Sequence, residues 1–305
     1  MAEAPDLGGY EVVGRLAVGG MAEVYQARAR ATTQRSPGEP EEVVIKRLHP
    51  SFRSDTAYVK AFVDEAKLTV RLRHPHIVRT YRLFKAGPDY LMVQELVSGR
   101  TLGYMQELLI KAGAAMPPES ALYIAWCLAK ALDYIHRAKV GDNGATIVHR
   151  DVNPANVLLG INGDVKLTDF GVAEVEGMMR GDSGALRGTL PYMSPEQVLG
   201  QAVDARTDLY ALGVILWELW ASRRLHAGDN EADLMHRVRD ARVPLLSSVA
   251  PDLPDYAVQV ARKALFADRA RRFQTAAEFI KAIEALSKRA GWPLTVEALQ
   301  PLLGG

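Results

Sequence analysis

The segment His149-Arg-Asp-Val-Asn-Pro-Ala-Asn156 places a base, a cation, a carboxylate and two amides between apolar runs. A carboxylate such as Asp151 can accept a hydrogen bond from an attacking hydroxyl and orient it toward phosphorus. Asn156 offers an amide oxygen to a magnesium ion. Asp169 ends the alternating run Val165-Lys-Leu-Thr168, just before Phe170-Gly171, and offers a carboxylate that can bridge metal and phosphates. Two oxygen ligands suit Mg²⁺, which takes the rest of its shell from water and phosphate. Lys46 closes the hydrophobic run Val43-Val-Ile-Lys, and Glu65 on the next helix is its candidate partner; such a pair would hold an ammonium against a nucleotide phosphate. The loop inside Leu16-Ala-Val-Gly-Gly-Met-Ala-Glu-Val-Tyr25 has only small residues to block the approach of backbone N–H groups to phosphate oxygens.

These residues need elements to hold them. Tyr10 to Leu16, Glu23 to Ala29, Val43 to Lys46, Thr80 to Phe84 and Tyr90 to Glu95 are short apolar or β-branched runs between turn signals, which predicts strands. The polar stretch 30–42, with Pro37 and Pro40, reads as an exposed hairpin loop, with no function implied. One helix interrupts the strands, roughly Thr56 to Leu72, with Val59, Phe62, Val63, Ala66 and Val70 on its apolar face. From about Thr101 onward the pattern is mostly helical: Ser120 to His136, Leu209 to Trp220 (apolar nearly all round, hence central) and Ala276 to Leu286. Strand-like pieces at Thr146 to His149 and Val157 to Thr168 include a turn at Asn162-Gly163. A small sheet-rich lobe joined through Glu95–Gly99 to a larger helical lobe is the architecture this pattern predicts.

Composition bounds the rest. A chain of 305 residues, 48% hydrophobic and 24% charged, is ordinary globular material. A formal net charge of +1 gives no footprint for nucleic acid or an anionic membrane. The single cysteine, Cys127, forms no intramolecular disulfide or cysteine zinc site and reads as a small buried residue. The start of the chain has no secretory signal pattern, and the most apolar stretch, Leu209 to Ala221, is too short to cross a bilayer and contains Glu218. The expectation is a cytoplasmic protein, or the cytoplasmic part of one, with no nucleic-acid partner and no membrane span within this chain.

Taken together, the motifs resemble the protein kinase signature set in matching order over about residues 10–288. The bacterial serine/threonine kinases of the eukaryotic-like (Hanks) type are the most similar, on the Gly-Gly-Met-Ala-Glu-Val loop and the Tyr-Met-Ser-Pro-Glu-Gln run. The resemblance implies an α+β, two-lobed protein kinase fold: a small β-rich N-lobe with one key helix (10–94), a hinge (95–99) and a larger helical C-lobe (100–288). Residues 289–305 would be a tail packed through Trp292 and Leu294, or the start of a linker. It implies ATP and Mg²⁺, or Mn²⁺ in its place, and a protein substrate, with a homodimer or regulatory partner as a further option. Lys46 matches the phosphate-holding lysine, Glu65 its helix partner, Gln94 the gatekeeper, Asp151 the catalytic aspartate, and Asn156 and Asp169 the metal ligands. Leu16, Ala17, Gly19, Gly20 and Ala22 would cover the phosphates. Val24 and Val44 would form the adenine ceiling and Leu158 its floor, with backbone hydrogen bonds at Glu95 to Val97. Glu196 would pair with Arg272, Asp208 would prop the catalytic loop, and Thr189 would bond Asp151.

Three departures stand out. Asn153 occupies the place of the usual lysine, where its amide would donate to the γ-phosphate without bringing charge. Ala17 and Ala22 replace glycines of the phosphate loop, and Thr69 replaces a larger apolar residue one turn after Glu65. Arg150 is placed to clamp a phosphate on the segment Glu174 to Arg187, whose one hydroxyl is Ser183. The expected function is serine/threonine protein phosphorylation; the alternative is a kinase-fold scaffold that binds nucleotide with little transfer.

Overall fold

The computed structural model describes Pro5 and residues 7–140, 145–170, 189–228 and 230–303. The chain divides into two compact units: one runs to Val97 and takes back Phe170, and the other holds Ser98–Asp169 and the described residues from Thr189 onward.

Among its described residues, the first unit is an antiparallel sheet of β1 (Tyr10–Val18), β2 (Ala22–Ala29), β3 (Glu42–Leu48), β4 (Thr80–Ala86) and β5 (Asp89–Glu95), in the order β1-β2-β3-β5-β4. Alternation along the strands divides its side chains between two faces. Tyr25, Ala27, Val43, Ile45, Leu91 and Val93 pack on one face, closed by Leu7 and Tyr10. Ala22, Leu48 and Met92 lie on the other, against Phe62 and Ala66 of α1 (Thr56–Thr69). Asp55 caps α1 by accepting from the Ala57 N–H at 2.9 Å. The loop before β3 is less free than its composition predicts. Glu39 is buried, accepts a short hydrogen bond from the Tyr10 hydroxyl, and lies 3.4 Å from Arg82.

The second unit is mainly helical: α2 (Leu102–Ala112), α3 (Pro118–Arg137), α4 (Pro195–Val198), α5 (Ala205–Ala221), α6 (Glu231–Arg239), α7 (Asp255–Ala264), α8 (Ala276–Ala290) and α9 (Gln300–Leu303). Its core is α5, buried on all sides from Thr207 to Trp220 as its unbroken apolar run predicts. Cys127 is buried in α3, and burial pushes its thiol up to about 12, far from a reactive thiolate. The strands here are β6 (Gly99–Thr101), β7 (Lys139–Val140), β8 (Ala145–Thr146), β9 (Val157–Gly160) and β10 (Val165–Leu167), with sheet order β10-β9-β6 and a separate β7-β8 pair. The strand expected over Thr146 to His149 stops at Thr146. His149 and Arg150 spend their N–H groups on a side chain instead of a ladder.

Candidate active site

In the first unit the strand period decides which residues meet. Val44, Lys46 and Leu48 share a face of β3. The register sets Val24 and Met92 opposite Lys46, Gln94 opposite Val44, and Ala17 opposite Val24. The predicted nucleotide residues Ala17, Ala22, Val24, Val44, Lys46 and Gln94 therefore lie on one side of the sheet, the side that receives α1. Lys46 Nζ reaches Glu65 at 2.8 Å from Oε1 and 3.1 Å from Oε2, with the two side chains only 10% and 4% exposed. A pair this dry adds little net stability, because desolvating both charges offsets their attraction. What it secures is the position of the ammonium.

The phosphate-loop turn closes from the Gly19 N–H to the Ala22 carbonyl at 2.8 Å, around Gly20, and Leu16 lies at a register shift of β1. Ala17 and Ala22 sit in strands, neither with a left-handed dihedral, so the backbone does not demand glycine there. Gln94 is buried, and its amide approaches the Thr80 hydroxyl at 3.5 Å. The Glu95 N–H is already used by the Arg79 carbonyl at 2.8 Å, and Val97 is half-buried. Thr69 is buried but leaves no hydroxyl unsatisfied, since Oγ1 donates to the Glu65 carbonyl at 2.9 Å.

In the second unit Asp208, near the start of α5, organises the loop. Its carboxylate accepts from the His149 and Arg150 N–H groups, each at 2.8 Å, and meets His136 Nε2 at 2.8 Å. Arg150 has φ 67°, a left-handed conformation that costs a non-glycine residue about 1 kcal/mol. The cost is met locally: Asp208 holds its N–H, and Gln197 donates to its carbonyl at 3.0 Å. His149 is fully buried. Burial lowers its basicity, and Nε2 faces the Thr168 carbonyl at 3.2 Å while Nδ1 accepts from the Asp151 N–H at 3.3 Å.

Asp151 follows. Asn153 donates to its Oδ1 at 2.7 Å and Asn156 to its Oδ2 at 2.8 Å, and Thr189 contributes a further hydrogen bond. Burial raises the Asp151 carboxyl above the ordinary carboxylate range, and these hydrogen bonds pull it back in part. The β9–β10 hairpin pairs Val157 with Leu167, and the Thr168 N–H donates to the Asn156 carbonyl at 2.9 Å. Asn156 and Asp169 therefore stand at the same end of one hairpin. Asp169 has φ 55°, and Leu158 is half-buried on β9.

The donor set fits a hard cation bound together with phosphate. Asn156 spends its amide nitrogen on Asp151, and its Oδ1 accepts no hydrogen bond among the described residues. With Asp169 that makes two oxygen donors. No cluster of three or more His, Cys, Asp or Glu side chains suited to a metal exists among the described residues, so a cation here would need ligands from its substrate.

Glu196 and Arg272 make the expected pair, at 2.7 and 2.8 Å and fully enclosed. Burial works against the Glu196 carboxylate, but the two-pronged bond to Arg272 holds it below the usual range. Sequence reasoning passed over Gln197 and His136, whose partners are distant in the chain. It also passed over the buried group of Glu218, the Tyr192 hydroxyl at 2.7 Å and Arg224 at 3.2 Å. A lone glutamate inside an apolar helix was the available signal for that group. The segment Glu174 to Arg187, with the Ser183 expectation, lies outside the described residues.

A five-stranded sheet with one helix carrying a buried Lys–Glu pair, and a helical unit with Asp151, Asn156 and Asp169 gathered at a hairpin end, are the parts of the α+β protein kinase fold. The protein kinase domain family matches residues 10–283, and the chain belongs to that family. It is 36% identical to the probable serine/threonine-protein kinase SCO3848 of Streptomyces coelicolor, over 93% of this chain and 41% of that protein. It is 31% identical to the tyrosine-protein kinase MasK of Myxococcus xanthus, over 91% of this chain and 43% of that protein. The chain thus spans less than half the length of these two relatives. Among solved structures, the PknI kinase domain of Mycobacterium tuberculosis superimposes with a TM-score of 0.68 at 30% identity, over 93% of this chain and 99% of that one.

Proposed function

We propose that the chain is a serine/threonine protein kinase domain that moves the γ-phosphoryl group of ATP onto protein hydroxyls. The observation that carries this reading is the Asp151 carboxylate, held at both oxygens beside Asn156 and Asp169. The substrate hydroxyl oxygen bonds to the γ-phosphorus, the bond to the β,γ-bridging oxygen breaks, ADP leaves, and the hydroxyl proton passes to Asp151. Lys46, fixed by Glu65, holds the α- and β-phosphates. Asn156 Oδ1 and Asp169 hold Mg²⁺, which neutralises charge on the phosphates when bound. Catalysis is then positioning and electrostatics, with no covalent intermediate on the protein. The domain comprises 10–288, with lobes 10–94 and 100–288 about a hinge at 95–99. A cytoplasmic setting for the domain is part of this reading; among the described residues no helix is long and apolar enough to cross a membrane.

The test is transfer from radiolabelled ATP with Mg²⁺ to a generic protein substrate, followed by phosphoamino-acid analysis. Wild type is expected to label serine or threonine, and Asp151→Asn to lose at least about a hundredfold in kcat. Equal transfer by both would remove Asp151 from the mechanism. Label on tyrosine would align the chain with its Myxococcus relative, and nucleotide binding without transfer would make it a scaffold.

A further inference from the structure

Asn153 is the chain's most conspicuous departure from the kinase pattern, and its surroundings assign it work. The residue is 4% exposed. Its amide nitrogen donates to Asp151 Oδ1 at 2.7 Å and to the Asp151 carbonyl at 3.2 Å. Its carbonyl oxygen accepts from the Ala155 N–H at 2.9 Å and the Asn156 N–H at 3.3 Å, capping the 3₁₀ turn Pro154–Asn156. A primary amide has two N–H donors and two lone pairs. Its nitrogen and its oxygen are both engaged within the protein, the Asn156 N–H being shared with the Asn153 main-chain carbonyl at 3.0 Å, and a phosphate would have to displace these bonds. The expectation that Asn153 donates to a γ-phosphate meets a side chain already spent.

We propose that Asn153 is a positioning residue for Asp151: it fixes the carboxylate through Oδ1 while capping the turn from which Asn156 fixes Oδ2. One short turn then sets both the orientation of Asp151 and the place of Asn156. A lysine could not do this, because an ammonium has no acceptor for the Ala155 N–H, which the Asn153 side chain takes at 2.9 Å. The proposal rests on the kinase reading above, and its test separates the two.

Asn153→Asp keeps an oxygen on the Ala155 and Asn156 N–H groups but sets a second carboxylate against Asp151. The expected result is a loss in kcat of about a hundredfold, with KM for ATP changed less than about threefold. The acid limb of the pH–rate profile should move up by about one unit, since a like charge resists ionisation of Asp151. Carbon NMR titration of the Asp151 carboxyl in the nucleotide-free domain should show the same upward movement, and it reads the clamp even if the chain proves to transfer nothing. Asn153→Ser retains a good cap without reaching Asp151. It is expected to melt within about 2 °C of wild type, to lose about tenfold in kcat and to leave the pH profile in place; it decides the matter should Asn153→Asp fail to fold. Wild-type kcat and titration in Asn153→Asp would overturn the proposal. So would a raised KM for ATP with kcat intact in either variant, or a gain in kcat in Asn153→Lys.

Discussion

His226 is 3% exposed, and its Nδ1 has no hydrogen-bond partner among the described residues. The Tyr210 hydroxyl stands 3.5 Å from Nε2, at the limit of a hydrogen bond. Burial, with Arg237 adding to it, pushes the imidazole down to about 4, against about 6.5 in an unfolded chain. Between those values the unfolded chain takes up a proton that the folded one refuses. The folded state is therefore fully favoured above about pH 6.5 and loses that advantage as pH falls toward 4. Urea midpoints should show wild type losing about 2 kcal/mol from this source between about pH 7.5 and pH 5, and His226→Leu should lack that part of the slope. An identical slope in both proteins would assign the acid sensitivity elsewhere. His226 was invisible in the sequence because nothing local marks a histidine as buried. Lys46, Asp151, Asn156 and Asp169 were visible because each sits at a fixed offset within a motif whose spacing the chemistry demands.

At the scale of elements, legibility followed how completely a side was buried. Helix α5 was plain from Leu209 to Trp220 because it is apolar nearly all round, although its true start is set by Asp204, which caps it through the Arg206 N–H at 2.9 Å. Helices α2 and α7 went unread. Tyr104, Leu108 and Ile110 of α2 are exposed and blur its periodicity, and its stop signal, Gly113 at φ 63°, only has meaning once the helix is suspected. Short α7 buries four small or β-branched residues, Ala257, Val258, Ala261 and Ala264. Their smallness has a cause in the packing. A Cβ on Gly213 of α5 would lie 2.6 Å from the Ala264 Cβ and 3.3 Å from Leu265, so the two helices approach where neither carries bulk. Gly213→Val should destabilise the second unit by about 2–3 kcal/mol, seen as a lower urea midpoint with unchanged slope. A midpoint equal to wild type would mean that α7 shifts freely and is no fixed wall of the core.

For the molecule as a whole, the least legible part was its C-terminal stretch, for which a packed tail and a linker read equally well. The structure docks it on the second unit, but not chiefly through the residues the sequence suggested. Trp292 is half-buried, tilted against Trp220 at 6.5 Å, while Ala298 and Leu299 are almost wholly buried. The Ser120 hydroxyl donates a short hydrogen bond to the Ala298 carbonyl, tying the stretch to the start of α3. Val296 covers Gly163, where a Cβ would fall 1.8 Å from its Cγ2 and φ is 85°. Gly163 turns the hairpin whose opposite end carries Asn156 and Asp169, so the stretch braces the element that holds both candidate metal ligands. Ending the chain at Ala290 should remove the burial of Leu299 and its neighbours and lower unfolding free energy by about 2–3 kcal/mol. It should also lower transfer activity at saturating ATP, as the hairpin loses its brace. Val296→Ala in the full chain should reproduce both effects in smaller measure by uncovering Gly163, without straining that residue's left-handed backbone. Unchanged stability and activity in the shortened chain would show that these residues cover the hairpin without supporting it.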